Sequence, residues 1–97
     1  MSNGLPNEAH EEQTQAQLSA KLAKVTQQVV VGAQYVHYKQ LSYRVLAVAL
    51  REEDNEPCVI YQAEYGDKLT WIRPVASWIE DVTVGGKTIK RFTKIEN

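Results

Sequence analysis

The sequence predicts a mainly β fold: a small SH3-like antiparallel barrel or strongly bent sheet of five to six short strands, preceded by one N-terminal α-helix. Three observations carry this expectation. All five tyrosines, both tryptophans and the single phenylalanine follow Gly32, whereas the chain before it is rich in Gln, Ala and Glu. The hydrophobic period changes from helical to alternating at Val29-Val30-Val31-Gly32. Beyond that point, short alternating runs are separated by turn signals. At 97 residues the chain has the length of one domain. Residues 1–7 read as a disordered tail, 8–30 as the helix and 31–97 as the β domain.

The helix is expected from Glu8 to about Gln28, with Asn7 as its N-cap and Glu8, Glu11 and Glu12 in the first turns, where the helix dipole favours negative charge. Leu18, Leu22, Val25 and Val29 form one narrow stripe at spacings of four, three and four. A stripe that short fits a helix laid against its own domain, with a homodimer seam as the alternative. Gly32 ends the helical stretch. Tyr35 to Lys39 is the first strand and Tyr43 to Arg51 the longest. On the latter, Tyr43, Val45, Ala47 and Ala49 lie on one face, with Leu46, Val48 and Leu50 on the other. The acidic turn Glu52-Glu53-Asp54-Asn55-Glu56-Pro57 follows. Cys58 to Ala63 is a third strand, and Thr70 to Arg73 a fourth, stopped by Pro74. Pro74 suits the start of a helical turn over Val75 to Ile79. Val82 to Val84 and Thr88 to Lys94 flank Gly85-Gly86-Lys87 as a hairpin.

Charge and cysteine usage narrow the function classes. The net charge of −1 lacks the basic excess of a general polyanion binder. The one cysteine, Cys58, allows no intrachain disulfide and no multi-cysteine zinc site. No apolar run is long enough to span a bilayer, and the N-terminus does not read as a secretory signal, so a cytoplasmic protein without a membrane partner is expected. The two histidines have no metal-ligand spacing, and no phosphate-binding glycine motif is present. No catalytic residue, metal or cofactor is assigned.

The motifs Gly32-x-x-Tyr35-x-His37-Tyr38-Lys39, Tyr43-x-Val45, Val59-x-Tyr61-x-x-x-Tyr65-Gly66-Asp67, Trp71-Ile72-Arg73-Pro74 and Arg91-Phe92 together resemble a small bacterial family, the domain of unknown function numbered sixteen-fifty-three. The resemblance covers roughly Val31 to Phe92. It implies a short all-β domain of SH3-like size and brings no activity. The family's usual glycine after the His-Tyr-Lys element is Gln40 here. Its His-Ser-Glu-Thr turn is Leu50-Arg51-Glu52-Glu53, and its Met-Phe is Ser77-Trp78.

The candidate site follows from alternation. Tyr35, His37 and Lys39 share one strand face, as do Trp71 and Arg73, with Ile72 expected in the core opposite. An Arg beside aromatic rings can stack and still offer a planar fork to a carboxylate or phosphate. Alternatively it pairs internally with Asp67, Glu64 or Glu80. Tyr61 and Trp78 are expected in the core. The leading reading is a non-enzymatic binding module with an aromatic cleft of Tyr35, His37, Lys39, Tyr65, Trp71 and Arg73. Its ligand would be an anionic small molecule or an extended peptide, and the protein a monomer or a weak homodimer through its helix. One alternative is RNA contact through a basic C-terminal strand of Lys87, Lys90, Arg91 and Lys94. Another is a small enzyme using His37.

Overall fold

The structure, a computed structural model, describes residues 13–96. Helix α1 (Gln15–Gln28) begins at Thr14, whose hydroxyl accepts the Gln17 N–H while the Gln17 side chain accepts the Thr14 N–H. This reciprocal cap satisfies two otherwise orphaned donors and sets the helix start later than the expected Glu8. The proposed Asn7 cap and the tail 1–7 lie outside the described residues. Leu18, Val25 and Val29 of the expected stripe are buried.

A five-stranded antiparallel sheet follows. It consists of β1 (Gln34–His37), β2 (Leu41–Leu50), β3 (Pro57–Ala63), β4 (Thr70–Pro74) and, at the end of the chain, β7 (Phe92–Lys94). Its order is β4-β3-β2-β1-β7, and a separate hairpin pairs β5 (Asp81–Val84) with β6 (Lys87–Lys90). One short helix, α2 (Val75–Trp78), joins β4 to the hairpin. The expected mainly β architecture with an N-terminal helix is present, with seven strands in two sheets in place of five to six.

Of the two expected forms, an SH3-like barrel or a strongly bent sheet, the structure has a bent sheet that does not close into a barrel. Its two edge strands approach each other, since the Arg73 guanidinium of β4 lies 5.6 Å from the ring centre of Phe92 in β7. Pro74, which lacks an N–H, ends β4, and the chain turns into α2. The Trp78 ring of α2 then stacks on Phe92 at 3.7 Å and 6°. A helix and an indole fill the gap that a ladder would have closed.

Three other expectations are corrected. A register shift between Val45 and Ala47 breaks the strict alternation of β2. Val45 and Val48 both pack on the core, and Leu46 is exposed. The single strand Thr88 to Lys94 is two strands separated at Arg91. Ile72 is 62% exposed rather than in the core, because β4 is an edge strand with nothing over that face among the described residues.

The core joins Val25 and Val29 of α1 to Tyr35, Val45, Val59, Tyr61, Val75, Trp78 and Phe92. Tyr61 and Trp78 are core residues, as expected. A polar tie holds the start of α1. The buried Asn55 side chain donates to Gln13 Oε1 (3.1 Å), and Lys21 Nζ donates to the Asn55 carbonyl (3.3 Å). Several turns use left-handed backbone, two of them with a bearing on the sequence reading. Gly85 and Gly86 have φ of 57° and 80°, the pattern of a two-residue hairpin turn. Gln40 has φ of 71° where the resembled family usually has glycine.

Candidate functional site

The concave face gathers most of the expected site. The β3–β4 register sets Tyr61 beside Trp71 and Val59 beside Arg73. Trp71 is 49% exposed and Tyr65 is comparably open, and both line a small recess next to Gly66 and Leu69. The Tyr65 and Tyr43 hydroxyls lie 2.6 Å apart. Tyr43 in turn sets its ring edge-on to Tyr61 and Phe92. These rings form an exposed rim, Trp71 and Tyr65, above a floor of Tyr43, Tyr61 and Phe92.

Arg73 sits on that floor. Its Nε donates to the Tyr61 hydroxyl (3.4 Å), and its Nη1 donates to Ser77 Oγ (2.8 Å). The ion pairs among the described residues are Arg44–Glu64, Arg51–Asp54, Arg91–Glu80 and Lys94–Glu96. None of them involves Arg73, so the internal carboxylate partner considered for it is not found there. Its second terminal nitrogen makes no hydrogen bond within the described residues, and no buried side-chain polar atom there lacks a partner. That nitrogen is therefore reached by solvent.

His37 sits beside this cation with its ring edge-on to Phe92 at 5.0 Å. Its Nδ1 accepts the Lys39 N–H (3.1 Å), which puts the proton of the neutral ring on Nε2. Burial lowers its pKa below the ordinary 6.5, and the charges of Arg73, Arg91 and Lys39 lower it further. The imidazole is therefore neutral at pH 7. Tyr43 is pushed up to about 12, first by burial and then by its hydrogen bond to Tyr65. Its phenol stays neutral, so the face carries cationic charge from Arg73, Lys39 and Arg91, with Glu80 paired to Arg91.

Tyr35 does not belong to the site. It is 5% exposed, sets its ring edge-on to Trp78 at 5.3 Å, and accepts the Val30 N–H through its hydroxyl (3.0 Å). It shares a strand face with His37, as expected, but the end of α1 and α2 cover that part of the face. Lys39 lies in the turn after β1, with its Nζ 5.9 Å from the Tyr38 ring centre. Tyr43, Ser77 and Phe92 were not singled out from sequence as site residues. The signal for Phe92 was its place beside Arg91 in the Arg-Phe motif. Ser77 carried none, because its role depends on the α2 turn bringing it under Arg73.

The basic residues do not form one stripe. Lys87 and Lys90 lie on the hairpin, and Lys94 lies on β7 with Glu96. Arg91 sits in the bend between, donating to the Ser77 carbonyl (3.1 Å) and to Glu80 (3.0 Å). Among the described residues no group of His, Cys, Asp and Glu is placed to hold a metal, and no helix is long and apolar enough to cross a membrane. Burial raises the Cys58 thiol pKa, and this residue lies away from the site within β3.

The family described as protein of unknown function, DUF1653, matches residues 33–94, nearly two thirds of the chain. The chain belongs to the DUF1653 family. A crystal structure of a DUF1653 protein from Bordetella bronchiseptica is 28% identical, with a TM-score of 0.63, over 70% of this chain and 90% of that one. A comparison with curated proteins finds no match. The DUF1653 match starts at residue 33 and ends at residue 94, so it takes in all seven strands, α2 and the whole candidate site but not α1.

Proposed function

We propose that this DUF1653 protein is a non-enzymatic binding module that takes a small anion, a carboxylate or a phosphate, on its concave face. Arg73 is the anchor, His37 and Lys39 flank it, and Tyr65 and Trp71 form an aromatic rim. One observation carries the reading: Arg73 is a half-buried guanidinium held only by neutral hydroxyls, with no carboxylate partner among the described residues. Charged groups withdrawn from water are ordinarily paired. A planar fork with one nitrogen open to solvent supports two-point recognition of a carboxylate or phosphate.

The neutral His37 adds a coupling. An anion beside it would offset the cations that depress its pKa, so binding and protonation favour each other, and affinity should rise as pH falls below 6.5. Neither the RNA reading nor the enzymatic reading gains a specific observation.

The test is a titration of labelled protein with inorganic phosphate and, separately, with acetate, followed by NMR at Arg73 Nε and the His37 ring. Binding should move both signals, and the two arms separate phosphate from carboxylate preference. Arg73→Lys should keep the fold and weaken binding by about tenfold or more, the loss of one charge-assisted hydrogen bond at about 1.5–3 kcal/mol. Unmoved Arg73 and His37 signals with both anions would reject the reading.

A further inference from the structure

We propose that the outer edge of β7 is a strand-addition site for an extended acidic peptide from another protein, seated in the groove between the end of α1 and the base of the β5–β6 hairpin. This site is separate from the concave face around Arg73.

Antiparallel strands bond through alternate residues. Tyr38 N–H donates to the Arg91 carbonyl (2.9 Å), Ile95 N–H donates to the Gln34 carbonyl (2.9 Å), and Val36 faces Thr93 between them. Residues 91, 93 and 95 thus face β1. The N–H and C=O groups of Phe92 and Lys94 turn the other way, and β7 is the last strand of its sheet. No partner for those four groups occurs among the described residues.

These groups open onto a groove of about 410 Å³, within the size range of ligand sites. Gln28 and Val30 form one wall, Ile79 and Lys90 the other, and the edges of Trp78 and Phe92 the floor. Val30 is 40% and Ile79 is 46% exposed, so both walls present apolar surface. The site combines a free strand edge with a place for an apolar side chain, the two elements of recognition by strand addition.

Charge and shape select the occupant. Of the groove's charged groups Lys94 is paired with Glu96, while Lys90 has no ion-pair partner among the described residues, so the groove keeps a net positive charge that favours a carboxylate. The edge is recessed between two walls, so a single extended chain can enter where the broad edge of a second copy would meet α1 and the hairpin. A strand presents alternate side chains to opposite sides. Carboxylates alternating with β-branched residues would put the apolar groups on the Phe92 side, over Trp78, and the charges on the opposite side, where Lys90 also lies beside Thr93 and Ile95.

The test uses acetyl-Glu-Val-Glu-Val-Glu-amide, the same peptide N-methylated at both valines, and a third peptide with lysine in place of glutamate. Amide exchange is read by NMR. The acidic peptide should slow exchange at Phe92 and Lys94 by at least about tenfold, the scale of one or two net hydrogen bonds. The N-methylated peptide should lose that protection, the lysine peptide should bind several-fold more weakly, and Ile79→Glu should weaken the acidic peptide while the fold is retained. The proposal is overturned by any of four results: no protection at Phe92 and Lys94 with the acidic peptide, protection at Thr70 and Ile72 instead, equal binding of the N-methylated peptide, or protection that grows with protein concentration and no peptide, which assigns the edge to a second copy.

Discussion

The two edges of the five-stranded sheet solve the same problem differently. By the parity that Ala63 N–H and the Leu69 carbonyl set (2.9 Å), the outward groups of β4 belong to Thr70 and Ile72 and to the Pro74 carbonyl. That edge is apolar and open, with Leu69, Trp71 and Ile72 all exposed. Among the described residues its guards are its brevity and the proline that ends it. The β7 edge is recessed, and lysines flank it. An open apolar edge invites any strand, whereas a recessed charged one selects its partner. The bend brings both edges to one concave face, where Arg73 of β4 meets Phe92 of β7.

The sharpest break in this comparison comes from its two tryptophans. Trp78, 2% exposed and stacked on Phe92, belongs to the β7 side. Trp78→Ala should cost about 3–5 kcal/mol in chemical denaturation. Trp71→Ala, on the open β4 edge, should cost no more than about 1 kcal/mol. Equal costs would mean that the β4 edge is covered.

Proline scanning of β4 should give the next largest effect. Trp71 N–H faces β3, so Trp71→Pro removes a ladder bond and should cost about 1–3 kcal/mol. Ile72 N–H faces outward, and Ile72→Pro should cost much less in the same melts. The reverse order would refute the assigned parity.

A pH series joins the two edges. The folded protein holds His37 below its ordinary 6.5, partly through Arg73 across the face. Below 6.5 the unfolded chain takes up the proton first, so Tm should fall as pH drops from 6.5 through the folded value and level off beneath it. His37→Gln should flatten that slope, and so should added phosphate if the anion reading holds. A slope unchanged in His37→Gln would assign the dependence to another group.

The smallest effect lies in the β1–β2 turn. Gln40 occupies left-handed backbone that costs an L-residue roughly 1–2 kcal/mol, part of which glycine returns as chain entropy when unfolded. Gln40→Gly should therefore raise stability by up to about 1 kcal/mol, measured by denaturant midpoint.

Much of the fold was legible because local rules govern it. The Gly-Gly hairpin, the proline stop at 74 and the acidic turn all declare themselves in a few adjacent residues. The bulge at Leu46 did not, since a register shift is settled by the partner strand rather than by the strand itself. Ile72 misled for a related reason: alternation says that its face differs from that of Trp71 but not whether anything covers either face. The site was legible in part. Trp71, Arg73 and His37 drew notice as unusual groups in short motifs. Tyr35 was misplaced because the end of α1 and α2, both distant in sequence, decide its burial. Arg73 could not be known to lack a carboxylate until Glu64 and Glu80 were seen spent on Arg44 and Arg91.

The tie between Asn55 and the start of α1 bears on how the molecule comes apart. Asn55 is 3% exposed, and its amide is satisfied by Gln13 of the helix segment, while its carbonyl takes Lys21. Peeling α1 from the sheet would strip partners from a buried amide and expose Val25 and Val29. Fraying from the helix start therefore meets a cost at its first turn, before Val25 and Val29 are reached. Helix and sheet then form one cooperative unit, although the helix lies outside the family match. Amide exchange in the middle of α1 should accordingly proceed through global opening, at the same free energy as the slowest amides of β2 and β3.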